Sequence, residues 1–354
     1  MIDVLLPTGR PRLRAVTEFA LQNLEHRYLT PDANLKNRRV LFALAADEGG
    51  MDASTLALLR RLRTERGAMT GSVGAVIADG AGERYTKQLA QDMVFAANLA
   101  GCAFPGKPLL EGTGSLYNQH ILAQRRGLSL EETYFVRARE LAERLERFTP
   151  PTFRRPPLLV LHSSEQGRSG TLWMGQEVCR RLADACDIAT VSLQNGTIHD
   201  CRGCSYKTCL HFAENGDCFY GGAIAETVLP AIRDCDAMLF LCPNYNDAVS
   251  ANISALFNRL TSLLLQSTLS DKYLFGIVVS GYSGGDLVAR QLLGAMCLNK
   301  TAMLPPEFCL LRTANDLATL RASEGIEAEL DAFAGHIRKT ICKTEKEPQP
   351  EENP

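Results

Sequence analysis

The stretch LLVLHSSEQGRSGT, residues 158–171, decides the fold. Leu158 to His162 is a short apolar run that ends in a Ser/Gly turn. A helix is then predicted over Leu172 to Cys186, with Leu172, Cys179, Leu182 and Cys186 on one face. The same alternation continues outward. Strands are predicted at Ile188 to Leu193, Ala237 to Cys242, Leu274 to Ser280 and Glu307 to Arg312. Helices are predicted at Ala223 to Arg233 (kinked by Pro230), Ala251 to Leu265, after GYSGGD, and Glu324 to Thr340. Five short apolar strands alternating with helices require right-handed crossovers, hence an α/β fold with a doubly wound five-stranded parallel sheet. In such sheets ligands bind outside the carboxyl ends of the strands. The loops there are 163–171, 243–247 and 281–286.

Upstream, FTPPTFRRPP (Phe148 to Pro157) breaks any helix and reads as a linker. Residues 1–150 form a smaller α/β region of unassigned role, with strands at Arg39 to Ala45 and Ser72 to Asp79. Helices there are expected at Ser54 to Arg66, Tyr85 to Ala100 and Leu130 to Phe148. Two strands alone cannot readily cover both faces of a sheet, and docking on the second domain or dimerisation are the roles considered. The main domain is placed at 158–342. The charged, Pro-rich tail 343–354 is expected to be disordered. The chain has 354 residues, 45% of them hydrophobic, and a net charge of −2. With no long basic run, nucleic acid and polybasic membrane contacts are not expected. No signal peptide or transmembrane run is evident, so a cytoplasmic location is expected. In that compartment the twelve cysteines do not make a disulfide framework.

Four of them cluster in DCRGCSYKTCLHFAENGDC: Cys201, Cys204, Cys209 and Cys218. Four thiolates suit an iron–sulfur cluster or a structural zinc. The spacing C-x2-C-x4-C-x8-C matches neither the ferredoxin run nor paired zinc knuckles, and incidental thiols remain the alternative. The loop 163–171 offers hydroxyls, Arg168 and a helix N-terminus to a phosphate. An ordinary turn with Thr171 as N-cap gives the same residues. Pro243, Asn244, Tyr245, Asn246 and Asp247 can wall a planar ring or simply form a turn. Gly281-Tyr282-Ser283-Gly284-Gly285 matches G-x-S-x-G, and Asp316 and His336 follow in triad order. The same glycines would let backbone approach a ligand closely.

Taken in order, these pieces resemble the flavodoxin-like NAD(P)H-dependent FMN reductases, and within them the group with a cysteine loop, the iron–sulfur flavoproteins. The matches are SSEQGRSGT after a strand, CRGCSYKTC…NGDC after the next, PNY at the end of Asp236 to Phe240 and its continuation, and SANISALFNRL after that. The resemblance implies an FMN-dependent enzyme passing electrons from NAD(P)H to a small-molecule or protein acceptor. It implies that Ser164, Arg168, Ser169 and Thr171 hold the FMN phosphate. Pro243, Asn244, Tyr245 and Asn246 would line one side of the ring, and Gly281, Tyr282, Ser283, Gly284 and Gly285 the other. Cys201, Cys204, Cys209 and Cys218 would stand at the positions of a 4Fe–4S cluster, and the family favours a homodimer. An electron-transfer or redox-sensing flavoprotein without NAD(P)H activity, and a serine hydrolase using Ser283, are the alternatives.

Overall fold

The computed structural model describes residues 1–6, 10–165, 167–193, 196, 198–214, 218–265 and 267–343. The tail expected to be disordered lies, from residue 344 on, outside the described residues.

The chain builds two parallel sheets. The first half runs β1 (Ile2–Leu5), α1 (Pro11–Leu21), β2 (His26–Leu29), β3 (Arg39–Ala46), α2 (Ala53–Thr64), β4 (Ser72–Gly80) and α3 (Thr86–Leu99). It continues through β5 (Cys102–Ala103), β6 (Leu109–Gly112), α4 (His120–Arg126) and α5 (Leu130–Arg147). The strand order is β2-β1-β3-β4, with β5 and β6 both pairing β4. The second half runs β7 (Pro157–His162), α6 (Gly170–Leu182), β8 (Asp187–Ser192), α7 (Tyr206–Ala213), α8 (Leu229–Asp234), β9 (Ala237–Pro243) and α9 (Ala251–Arg259). It ends with α10 (Thr261–Leu264), β10 (Tyr273–Ser280), α11 (Gly285–Leu293), β11 (Cys309–Thr313), α12 (Leu317–Ala322) and α13 (Ile326–Ile341). Its order is β8-β7-β9-β10-β11, the flavodoxin-like order of a doubly wound sheet.

Central strands such as β7 and β9 are buried on both faces, which is why they read as continuous apolar runs rather than alternating ones. The edge strand β8 is largely exposed and polar. Pro230 lies where a π-helical turn, Ile224–Val228, runs on into α8 without a break, so the irregularity in this helical stretch falls just before the proline.

The first half holds six strands, where the sequence suggested two. The missed ones are two to four residues long, too short to show a period. The two sheets stack through one shared layer of helices. Leu89, Met93 and Ala97 of α3 join Val288, Leu292 and Met296 in a single core that also takes in one face of each sheet. Two further cores lie outside, one under α1 and α5 and one under α6 and α13. The Pro-rich connection is stitched down: Phe153 N donates to Ile341 O at 2.7 Å and Tyr273 Oη to Pro151 O at 2.9 Å. Among the described residues no helix is long and apolar enough to cross a membrane.

Candidate functional site

Loops at the carboxyl ends of β7, β9, β10 and β11 enclose a cleft of about 360 Å³. Its walls carry Arg168, Ser169, Thr171, Pro243, Asn244, Tyr245 and Gly281. The sequence had proposed all seven, from three separate loops. It had not proposed Asn315 and Leu317, which close the fourth side from the β11–α12 loop. The signal for them was available, since this loop also leaves the carboxyl edge of the sheet.

The first loop turns from β7 into α6. Ser169, not Thr171, is the N-cap: its Oγ accepts from Leu172 N at 3.1 Å. The other N–H groups of this first turn have no partner within the helix. Thr171 lies inside the turn and is 1% exposed. Ser164 is equally buried, and its hydroxyl has no hydrogen-bond partner in the protein. Arg168 is exposed at the cleft. Beneath the loop, the Nδ1 of His162 accepts from Ser164 N at 3.3 Å, and burial pushes the His162 pKa below its ordinary value.

The second and third loops are tied to each other. Asn244 Nδ2 donates to the Ser283 carbonyl at 2.8 Å, with longer contacts to Ser280 Oγ (3.2 Å) and Asp247 Oδ1 (3.3 Å). Asn246 and Asp247 take left-handed backbone, which asparagine and aspartate tolerate best after glycine. Gly284 has φ +80°, and a Cβ there would stand 1.9 Å from Asp247 Oδ1. Only glycine fits. Gly285 then opens α11. Tyr245 is half exposed and Tyr282 is 85% exposed. An aromatic ring left in water at a cleft rim is a ready surface for a planar ligand.

The G-x-S-x-G match does not build a hydrolase. Asp316 caps α12, accepting from Thr319 N at 2.8 Å and from Thr319 Oγ1 at 3.0 Å. His336 lies in α13, edge-on to Phe275 at 6.3 Å between ring centres, and its Nε2 has no partner. The Ser283 carbonyl accepts from Asn244. No acid–base chain links the three.

Cys201, Cys204, Cys209 and Cys218 come together, but away from this cleft. Asn252, in the first turn of α9, donates to Leu193 O, and Asn258, near its end, donates to Asp200 Oδ1 at 2.8 Å. These two contacts are six residues apart on α9, about 9 Å at the helical rise, so Asp200 lies that much further along the helix from the cleft than Leu193. The four cysteines line a largely apolar cavity of about 260 Å³ with Tyr206, Phe212, Phe219 and Tyr220. Burial raises the Cys209 thiol pKa, and the thiols of Cys204, Cys218 and Cys201 raise it further. Arg259 also lines this cavity. It is 3% exposed and donates to the carbonyls of Gly221 (2.7 Å) and His199 (3.4 Å). Among the described residues no three His, Cys, Asp or Glu side chains surround a common metal position.

Residues 156–316 match the family described as NADPH-dependent FMN reductase. Among solved structures, an azoreductase from Bacillus anthracis str. Sterne is 13% identical with a TM-score of 0.41, the match covering 52% of this chain and 99% of that one. An NAD(P)H:quinone oxidoreductase from Methanothermobacter marburgensis is 12% identical with a TM-score of 0.39, over 55% of this chain and all of that one, 100%. No curated protein matches the sequence.

Proposed function

We propose that the cleft above β7, β9 and β10 holds FMN in an NAD(P)H-dependent oxidoreductase, a reading supported by the match of residues 156–316 to the NADPH-dependent FMN reductase family. The observation that carries this reading is the convergence of three separate loops on one cleft, each with the chemistry its part of FMN requires.

The N-terminus of α6, the Ser169 and Thr171 hydroxyls and the Arg168 guanidinium would hold the phosphate. The buried Ser164 hydroxyl on the same loop has no partner in the protein and is a donor whose desolvation an oxyanion would offset. Pro243, Asn244, Tyr245 and Asn246 would flank one side of the ring. Gly281 to Gly285, with Tyr282 and Ser283, would flank the other, held in place by Asn244. Bound FMN supplies hydride acceptance from a nicotinamide and electron delivery to a small-molecule or protein acceptor. The protein's part is to orient the ring and exclude side reactions, and no side chain is assigned a proton-transfer role.

A finer reading places a 4Fe–4S cluster on Cys201, Cys204, Cys209 and Cys218. In its favour, all four line one cavity beside Arg259, a buried cation that an anionic occupant would neutralise. Against it, their present placement surrounds no common metal position, so no electron step is drawn through it.

The test is anaerobic purification with a visible spectrum and metal analysis, followed by addition of NADPH or NADH. Bound flavin that either nucleotide bleaches supports the reductase. Flavin that only a chemical reductant bleaches points to an electron-transfer protein. Iron with sulfide supports the cluster, and zinc or no metal argues against it. Replacing both Ser169 and Thr171 with alanine should weaken FMN binding about tenfold or more. Unchanged affinity in that variant would count against the phosphate site.

A further inference from the structure

The two sheets are built to one plan. Numbered within its own half, each has the order 2-1-3-4-5. In each, the first and last long helices, α1 with α5 and α6 with α13, pack together on the same outer face. The fourth and fifth strands repeat in detail. Ser72 pairs with Cys102 and Tyr273 with Met303, 30 residues on in both cases. Val76 pairs with Leu109 and Gly276 with Cys309, 33 residues on in both. Between these strands α3 spans 14 residues, matched by the nine of α11 and the five of the π turn that continues it.

The two copies meet through these equivalent parts. Phe104 N donates to Leu304 O at 2.8 Å and Leu304 N to Phe104 O at 3.0 Å, a reciprocal pair of the kind a two-fold axis produces. Beside it α3 packs on α11, and Arg290 of α11 donates to Asp92 of α3 at 2.7 Å.

The carboxyl-edge crevices of the two copies differ. Asp79 lies seven residues beyond Ser72, as Ser280 lies seven beyond Tyr273. Asp79 thus stands where Ser280 underlies the candidate ring site. It is fully buried and takes Arg12 Nε on Oδ2 at 2.8 Å. The rest of the Arg12 guanidinium donates to the carbonyls of Gly114 (3.0 Å), Gly80 (3.1 Å) and Thr113 (2.9 Å). One side chain from the start of α1 thereby ties down the loops after β4 and β6. Pro11 opens α1, so its first helical position has no N–H to offer an anion. The β2–β3 link also lacks the helices that follow β8 in the second copy.

We infer that the chain is an internally duplicated flavodoxin-like pair, fused as its own pseudo-dimer, whose N-terminal crevice is locked by Arg12 and Asp79 so that one FMN binds per chain. The stoichiometry rests on the flavin reading above; the lock does not. Flavin is measured on the full chain, on the Ser169→Ala/Thr171→Ala variant and on Arg12→Lys. Support is one FMN per chain, weakened at least about tenfold in the double variant and unchanged in Arg12→Lys. Two FMN per chain, or one that the double variant leaves at full affinity, overturns the inference. Absence of any flavin counts against the flavin reading instead, and amide exchange then decides the lock. Arg12→Ala should speed exchange across residues 80–84 and 113–116 by about tenfold and leave 281–285 unchanged. Equal protection of those loops with and without Arg12 overturns it.

Discussion

Asn244 shows how a residue that reads as a turn former can organise a site. Asparagine after proline at a strand end has local reasons to be there. Its side chain nevertheless bonds the Ser283 carbonyl 39 residues away. Asn244→Ala should lose about 1 kcal/mol of stability and loosen both ring-side loops. Urea unfolding and FMN affinity, both lowered, are the readouts. Gly284→Ala should do more damage, since both φ and the Asp247 carboxylate oppose a side chain there. The expected result is loss of FMN binding with the core still folded, seen by circular dichroism. The sequence showed these residues because proline, glycine and aromatics at strand ends are readable from type alone. Asn315 is ordinary by type, and only the place of its loop after the last strand pointed to it.

Protonation acts at the same scale. Burial lowers the pKa of both His162 and His336. The unfolded chain therefore binds protons near pH 6.5 that the folded chain refuses until lower pH. Stability from these two sites is full above about pH 6.5 and declines as pH falls toward the folded-state values. Thermal unfolding at about pH 5.5 should occur at lower temperature than at about pH 7.5. Replacing His336 with leucine, which suits its apolar contact with Phe275, should reduce that difference. An undiminished pH slope would place the effect elsewhere.

At the scale of elements, legibility followed length and burial. The central strands of the second sheet, β7, β9 and β10, were read from sequence because buried parallel strands are apolar throughout, and the more exposed edge strands β8 and β11 from their place in the alternation. β1, β2, β5 and β6 escaped because four residues or fewer carry no period, and β2, His26–Leu29, is mostly exposed. The cysteine segment was legible as a cluster but not in place. That Leu193 and Asp200 sit at successive points along α9 depends on Asn252 and Asn258, whose bonds no spacing reveals. Between elements, the Arg290–Asp92 pair joins α3 to α11, the helix that leaves the third loop. Asp92 is 8% exposed, so Arg290→Ala leaves a carboxylate largely uncompensated. With Arg63 3.7 Å away in partial support, the expected loss is about 2 kcal/mol. An unchanged denaturation midpoint would show that the pair contributes nothing at this junction.

At the scale of the molecule, the two sheets share the core between them. Heat or denaturant should therefore unfold both in one transition, with near- and far-ultraviolet circular dichroism coincident. Two separated transitions would show that the shared layer is not cooperative. This arrangement was not legible from sequence, because only the paired strands and their offsets reveal that the first half repeats the second. The duplication also gives the first half a place: it covers the α11 face, and the cleft lined by residues 168–171, 243–245, 281 and 314–317 stays open. The central claim is that this cleft holds FMN for reduction by a nicotinamide. Its most direct test is an anaerobic titration of the purified, FMN-loaded protein with NADPH and with NADH, following the flavin band. The account predicts bleaching in proportion to the nucleotide added. A protein that neither carries nor takes up FMN, or flavin that neither nucleotide bleaches, would contradict it.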